Sequence, residues 1–229
     1  MTVRWKSMKK EKKMIKSNGD NFRYFVYYPE EINDDMPLIL FLHGIGERGN
    51  NLDDVEKYAL PKYLNEFDIP YIVIAPQCSN GNFWDYHLRD VEKVIDEEYK
   101  KHKFDKENIF VLGSSMGAYG AWNYIIQRPN LFRGIVSASG GIMLNIDQNL
   151  TIIKDKPILI YHGDKDDVVD VSESINAYNK LIDIGASNIE LKIIKGENHY
   201  LSSQAFKDKY VYEWIDKNLK KNKKNTQYS

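Results

Sequence analysis

The sequence predicts an α/β fold in which a mostly parallel, doubly wound sheet is flanked by helices on both faces. Short, continuously apolar runs alternate along the chain with longer segments whose apolar residues recur at helical spacing. This alternation is typical of strands that pair in parallel through right-handed helical crossovers. The 229 residues, of which 42% are hydrophobic, are enough for one large domain with a substantial core.

The apolar runs place the strands, and the periodic segments place the helices between them. We predict strands at residues 22–28, 38–42, 71–75, 109–112, 134–138, 157–161 and 189–194. We predict helices at residues 88–100, 118–127, 175–182 and 206–219. Because reactive groups in such sheets lie at the carboxyl ends of the strands, a functional motif should directly follow a predicted strand.

The composition argues against nucleic acid and membrane partners. The net charge is −1, from 32 basic and 33 acidic residues, which gives no large field of one sign. No apolar run reaches the roughly 18 residues that a membrane span needs. The one cysteine, Cys78, excludes an intramolecular disulfide and fits a reducing compartment. Lysines interrupt residues 1–15, so no signal peptide is visible, and we expect a cytoplasmic protein unless a leader has been trimmed.

We predict a single domain over residues 1–229. Residues 1–20 are expected to form an N-terminal extension or an edge strand, and residues 217–229 a basic, solvent-exposed tail. The sequence leaves the oligomeric state open.

The segment 113–117 reads Gly-Ser-Ser-Met-Gly and matches the pattern G-x-S-x-G directly after a predicted strand. In such a strand-to-helix turn the serine backbone is strained, and glycines two positions before and after it avoid a clash. Only Ser115, and not Ser114, has glycines at both positions, Gly113 and Gly117. We therefore predict Ser115 as a nucleophile, although an ordinary glycine-rich turn would show the same pattern.

An acid and a base follow the next strands in the order expected for a catalytic triad. Four aspartates crowd the loop after residues 157–161, namely Asp164, Asp166, Asp167 and Asp170. A carboxylate there could orient a histidine and stabilise its imidazolium form. His199 follows the strand 189–194 and is third in the chain order Ser, Asp, His, so we predict it as the general base. The residues alone leave the choice among the aspartates open.

The other histidines support neither a metal site nor a cofactor. We predict that His87 and His102 are solvated near the helix 88–100 and that His162 packs structurally. The chain has no H-E-x-x-H motif, no cysteine pair and no glycine-rich phosphate loop followed by Lys-Ser/Thr. We therefore predict no metal ion and no cofactor.

The loop after the strand 38–42 predicts part of an oxyanion hole. It reads His-Gly-Ile-Gly-Glu-Arg-Gly over residues 43–49, and the glycines on either side of Ile45 let its backbone approach a substrate. The Met116 N–H at the start of the next helix is the second predicted donor.

Residues 43–49, the Ala-Pro-Gln of 75–77, Trp84 and residues 113–117 together resemble the α/β-hydrolase superfamily. Within it they are most similar to a bacterial branch of small carboxylesterases, feruloyl-type and polyhydroxybutyrate-depolymerase-like esterases, and predicted peptidases. The resemblance covers the chain from about residue 24 to residue 206. It implies an α/β-hydrolase fold.

The resemblance also implies roles for single residues. Hydrolases of this fold place the acid three residues after a glycine such as Gly163, which favours Asp166. The loop here lacks prolines that relatives often carry beside the acid, so Asp164 and Asp167 stay open as alternatives. Further roles are expected around the oxyanion loop. Glu47 and Arg48 are expected to form an ion pair that braces the loop. His43 and Trp84 are expected to form a wall of the substrate pocket, although Trp84 could equally be a core aromatic.

The implied function is a serine carboxylesterase that forms an acyl-enzyme with small-molecule esters. The connection between residues 139 and 157 is too short for a helical lid, which favours short-acyl or aryl esters, including carbohydrate-linked ones. Two alternatives stay open. One is a small serine peptidase of the prolyl-oligopeptidase type, and the other is a non-catalytic hydrolase-like binding protein.

Overall fold

The computed structural model describes residues 8–17, 20–33, 35–143 and 147–221. The first part of the predicted N-terminal extension, residues 1–7, lies outside the described residues. Residues 222–229 of the predicted basic tail also lie outside the described residues.

One eight-stranded sheet runs through the described part of the chain, in the order β1-β2-β4-β3-β5-β6-β7-β8. The strands are Lys9–Ser17 (β1), Asp20–Tyr28 (β2), Leu38–Leu42 (β3), Ile72–Pro76 (β4), Ile109–Ser114 (β5), Gly134–Ala138 (β6), Ile158–Gly163 (β7) and Ile189–Ile194 (β8). The pairs β1–β2 and β2–β4 are antiparallel, and all the other pairs are parallel. The predicted mostly parallel, doubly wound sheet is confirmed.

Helices cover both faces of the sheet. They are Ala59–Tyr63 (α1), Leu88–His102 (α2), Met116–Gln127 (α3), Ser172–Asp183 (α4), Leu201–Gln204 (α5) and Lys209–Lys217 (α6). Strand β3 shows why two layers are needed, since all five of its residues are buried. Leu38, Leu40 and Leu42 join the cluster that includes α2, α3 and α4. Ile39 and Phe41 point the other way and join the cluster that includes α1 and α6.

The structure departs from the predicted secondary structure in several places, since α1 and α5 were not predicted. The predicted helix 206–219 is interrupted at Asp208, whose side chain accepts the Tyr210 N–H and caps the start of α6. The residues before it form a separate 3₁₀ turn, Ala205–Lys207. Strand β1 was expected only as one of two options for residues 1–20, because its lysine-rich sequence lacks apolar alternation. That composition suits an exposed sheet edge, where charged side chains prevent pairing with another chain.

The carboxyl ends of the parallel strands carry the loops that matter for function. The connection after β6 contains a 3₁₀ segment, Asp147–Ile153, and its described residues form no lid domain. In the part of the chain that the structure describes, no helix is both long and apolar enough to cross a bilayer.

Candidate active site

Ser115 lies in a strained turn between β5 and α3. Its backbone adopts φ 53° and ψ −118°, a region that side-chain-bearing residues rarely occupy. The turn needs both flanking glycines. A Cβ on Gly113 would lie 2.1 Å from the Gly117 carbonyl oxygen, and a Cβ on Gly117 would lie 1.9 Å from the Leu42 carbonyl oxygen. The close packing holds the Ser115 side chain out at the edge of the sheet, as the pattern predicts.

His199 lies between Ser115 and Asp166. The distance from His199 Nε2 to Ser115 Oγ is 2.9 Å, and His199 Nδ1 is 2.8 Å and 2.9 Å from the two Asp166 oxygens. A carboxylate can only accept, so Nδ1 carries the proton and Nε2 is left free to accept the hydroxyl proton. The order of contacts is that of a catalytic triad.

Two loops bring Asp166 and His199 together. A Cβ on Gly163 would lie 2.2 Å from the Glu197 carbonyl oxygen, so only a glycine lets the loops after β7 and β8 pack this closely. The Lys165 N–H donates to the same Glu197 oxygen at 2.9 Å.

Among the three aspartates left open by the sequence, Asp166 is the one whose carboxylate contacts His199. Asp164 instead accepts the Gly196 N–H, and Asp167 is exposed. Desolvation acts to raise the pKa of Asp166. The Val169 N–H, the His199 side chain and the Val168 N–H outweigh it, so the pKa lies below its ordinary value. The carboxylate is therefore held in its charged form.

His162 makes a second histidine contact with the same carboxylate. It is fully buried, and its Nε2 lies 3.1 Å from Asp166 Oδ2 and 2.9 Å from the Val169 carbonyl oxygen. Its Nδ1 is 2.7 Å from Ser174 Oγ. The expectation of a packing role misses this contact. The four-residue spacing from His162 to Asp166 within one turn is the signal that could have shown it.

The two predicted oxyanion donors lie at the start of adjacent elements. Met116 is the first residue of α3, and Ile45 begins the 3₁₀ turn Ile45–Glu47. Among the described residues, neither backbone N–H donates to a backbone acceptor. The loop lies against the nucleophile, since a Cβ on Gly44 would be 3.6 Å from Ser115 Cβ.

The predicted ion pair of Glu47 with Arg48 is wrong. Glu47 is buried at 4% exposure, and burial raises the pKa of its carboxyl to about 7 against the opposing effect of the Gly44 and Glu47 N–H groups. Arg48 turns away and donates to the carbonyl oxygens of Ile45 and Asn82. Both side chains therefore contact backbone groups of the loop rather than each other.

His43 does not line the cleft, which corrects its predicted place in the pocket. It is fully buried, and its Nε2 accepts the Cys78 N–H at 2.9 Å. Burial lowers the pKa of His43 to about 4, so it is neutral at physiological pH. Trp84 fits both predicted roles, that of a pocket wall and that of a core aromatic. Its indole N–H donates to the His43 carbonyl oxygen, and the side chain forms a wall of the cleft.

Ser115 opens into a cleft of about 440 Å³ whose walls are mostly apolar. Eight wall residues are absent from the predicted site, and Phe83, Tyr119, Met143 and Val168 are among them. Phe83, Met143 and Val168 are exposed by 54%, 43% and 69%, so they present apolar surface to the solvent. They come from three separate loops, so no local pattern announces them.

Comparison with known proteins places this chain in a family. Residues 75–219 match the phospholipase/carboxylesterase family, and the chain belongs to that family. In family and fold it is an esterase-like hydrolase, which confirms the resemblance to α/β hydrolases.

Two relatives show similarity at low identity. The chain is 25% identical over 153 residues to the bifunctional acetylxylan esterase/xylanase XynS20E of Neocallimastix patriciarum. That match covers 65% of this chain and 22% of the relative, so the chain spans about a fifth of that protein. It is 24% identical over 206 residues to acyl-protein thioesterase 1 homolog 1 of Dictyostelium discoideum, covering 78% of this chain and 89% of the relative.

Solved structures share the fold. A thermostable esterase superposes with a TM-score of 0.77 at 25% identity, covering 91% of this chain and 62% of the other. A ferulic acid esterase superposes with a TM-score of 0.67 at 15% identity, covering 93% of this chain and 99% of the other. The second likeness concerns the fold alone.

Proposed function

We propose that this protein is a serine carboxylesterase with Ser115 as nucleophile, His199 as general base and Asp166 as the orienting acid. One observation carries the proposal, which is the continuous contact from Ser115 Oγ through His199 to the Asp166 carboxylate. The strained backbone at Ser115 supports it, because strain of this kind persists where the surrounding structure enforces it for function.

The proposed reaction proceeds through an acyl-enzyme. His199 Nε2 takes the Ser115 proton as Oγ attacks the ester carbonyl carbon, and Asp166 stabilises the imidazolium. The Ile45 and Met116 N–H groups donate to the oxyanion of the tetrahedral intermediate. His199 then gives its proton to the departing alcohol, and the acyl group stays on Ser115. Finally His199 deprotonates a water, which attacks the acyl-enzyme, releases the carboxylic acid and restores Ser115.

The cleft favours short-acyl or aryl esters. Its volume of about 440 Å³ lies in the range of small-molecule sites, about 300 to 1,000 Å³. Each buried methylene contributes about 0.8 kcal/mol, whereas methylenes that extend past the cleft stay in water and contribute nothing. Phe83 and Tyr119 offer aromatic faces for an aryl group. The acetylxylan esterase activity named for one relative supports carbohydrate-linked esters as one group of substrates.

A substrate series tests this proposal. We would measure kcat/KM on p-nitrophenyl acetate, butyrate, octanoate and palmitate, on methyl ferulate, and on an alanine p-nitroanilide. We expect the highest values among the acetate, the butyrate and the aryl ester. A maximum on palmitate would contradict the assignment of a short acyl site. Faster cleavage of the anilide than of every ester would favour the peptidase alternative. A native protein that turns over none of these substrates would favour the non-catalytic binding protein.

A further inference from the structure

A second cavity lies beside the catalytic cleft, and its walls are polar. It has a volume of about 330 Å³, and its lining includes Arg23, Asn50, Gln77, Tyr86 and Asp90. We call it the polar cavity. Four of its twelve lining residues carry side-chain amides, and an amide can both donate and accept hydrogen bonds. Tyr86 adds an aromatic face that is 57% exposed.

Part of the wall of the polar cavity is held rigid by a buried hydrogen-bond network. His87 Nδ1 donates to Asp90 Oδ2 at 2.9 Å, and both residues are 4% exposed. On the other side of the ring, His87 Nε2 lies 3.0 Å from Ser79 Oγ. Asp90 also accepts a short hydrogen bond from Ser17. Side chains with fixed partners present a preorganised surface, which reduces the entropy lost when a ligand binds.

Gln77 contributes an acceptor without a partner. The residue is 3% exposed, and its Nε2 donates to the Glu47 and Asn51 carbonyl oxygens at 3.0 Å and 2.8 Å. Its buried Oε1 has no hydrogen-bond partner among the described residues. Buried acceptors are nearly always satisfied, so this oxygen marks an unmet hydrogen-bond acceptor on a residue that lines the polar cavity.

A single segment separates the two cavities. Asn82 and Tyr86 line the polar cavity, whereas Phe83 and Trp84 line the catalytic cleft. Arg48 fixes the ridge between them, since its guanidinium donates to the Asn82 carbonyl oxygen and lies 5.4 Å from the centre of the Phe83 ring. A molecule bound at Ser115 could therefore extend over Phe83 into the polar cavity.

We propose that the polar cavity binds a neutral sugar unit on the alcohol side of the ester. This inference rests on the proposed esterase function and gives it a substrate class, esters whose alcohol is part of a carbohydrate. Sugar hydroxyls both donate and accept, which matches the amides, and the C–H face of a sugar ring packs on an aromatic ring such as Tyr86. An anion would be repelled by Asp90, although Arg23 would attract it.

The test compares two esters of the same acid. We would measure kcat and KM on p-nitrophenyl acetate and on mono-acetylated xylobiose for the native protein, Tyr86→Ala and Asn50→Ala. Tyr58→Ala is the matched control, since Tyr58 is 46% exposed and lines neither cavity. We expect Tyr86→Ala to lower kcat/KM on acetylated xylobiose about tenfold more than on p-nitrophenyl acetate, mainly through KM. Asn50→Ala should shift the ratio in the same direction, and Tyr58→Ala should leave it unchanged.

Calorimetric titration of Ser115→Ala separates this inference from the esterase function. Xylobiose and cellobiose should bind to Ser115→Ala, and the binding should weaken about tenfold when Tyr86→Ala is added. If the sugars bind in this way but the native protein turns over no ester, the sugar site stands and the esterase proposal is overturned. An equal fall on both esters in Tyr86→Ala, or no fall on either, would overturn the sugar site while leaving the esterase intact. Binding of inorganic phosphate in preference to both sugars would also overturn it.

Discussion

One Ser–His–Asp constellation of the described residues lies in the catalytic cleft, and another lies in the wall of the polar cavity. In the first, His199 contacts Ser115 and Asp166 at 2.9 Å and 2.8 Å. In the second, His87 contacts Ser79 and Asp90 at 3.0 Å and 2.9 Å, after strand β4. Distances among side chains therefore do not distinguish them.

The backbone distinguishes them. Ser115 has a φ of 53° and is followed directly by α3. The first N–H group of that helix, of Met116, donates to no backbone acceptor among the described residues. Ser79 is absent from the described residues with positive φ, and its own N–H donates to His87 Nε2 at 3.2 Å. The hydroxyl of Ser79 also accepts from Asn82 Nδ2 at 2.7 Å. The base in the second constellation is thus already occupied, and the comparison teaches that a triad needs its strained turn and free N–H donors.

The largest expected effect concerns the two serines. Ser115→Ala should lower kcat on p-nitrophenyl acetate by about 10⁴-fold or more, because the nucleophile is lost. Ser79→Ala should lower it less than about tenfold, because that hydroxyl supports a wall and performs no bond-making step. Steady-state kinetics on both variants checks this. Comparable losses in the two would remove the distinction between the constellations.

Asp166 and Asp90 should also differ, because replacing Asp166 should lower activity whereas replacing Asp90 should lower stability. Asp166→Asn should lower kcat by about 10³- to 10⁴-fold with little change in folding, since the imidazolium loses its partner. Asp90→Asn should lower the free energy of unfolding by about 1–3 kcal/mol, because a buried charged acceptor is replaced. Urea unfolding and kinetics on each variant provide the two readouts. If Asp90→Asn loses activity as far as Asp166→Asn while staying folded, the account of the polar cavity is wrong.

His162 offers a smaller effect that belongs to the catalytic constellation alone. His162→Asn removes the Nε2 donor to Asp166, and we expect kcat to fall about tenfold with KM little changed, in line with the loss of a group that orients a catalytic one. His162→Gln can place an amide N–H near the lost Nε2 and serves as the matched control. Recovery of kcat in the Gln variant supports a positioning role, whereas equal loss in both indicates packing alone.

The smallest expected effect is a pH dependence of stability at Glu47, which lies between the two sites. Its folded pKa of about 7 lies above the ordinary value of 4.5. Between these two pH values the unfolded chain has released the proton that the folded protein keeps, so stability falls as pH rises. Glu47→Gln, which mimics the protonated form, should therefore gain Tm over the native protein above pH 7 and lose that advantage below about pH 4.5. A difference independent of pH would contradict the burial argument.

The sequence predicts much of the fold and the centre of the site for a physical reason. A G-x-S-x-G turn and a buried parallel strand are local patterns, so their residues reveal them without knowledge of distant contacts. The same holds for the position of His199 after a strand. The contact of Asp166 with His199 needs the fold, because it depends on two loops packing at Gly163.

What the sequence misses depends on packing between distant segments. The sequence predicts that His87 is solvated near a helix, yet the residue is only 4% exposed. The Phe22 ring of β2 stacks on its imidazole, with 4.9 Å between the ring centres. The walls of the catalytic cleft come from several loops, such as those of Met143 and Val168, and no spacing along the chain links them. The polar cavity is invisible for the same reason, since its lining joins β2, the loop of Asn50 and α2.

The measurement that tests the central claim most directly is covalent labelling with a fluorophosphonate, followed by mass spectrometry of the digested protein. The account predicts one phosphonyl group per chain, on the peptide that carries Ser115, and no labelling of Ser115→Ala. Ser79→Ala should be labelled at Ser115 like the native protein. Labelling at Ser79, or an unlabelled native protein, would contradict the assignment of Ser115 as the nucleophile.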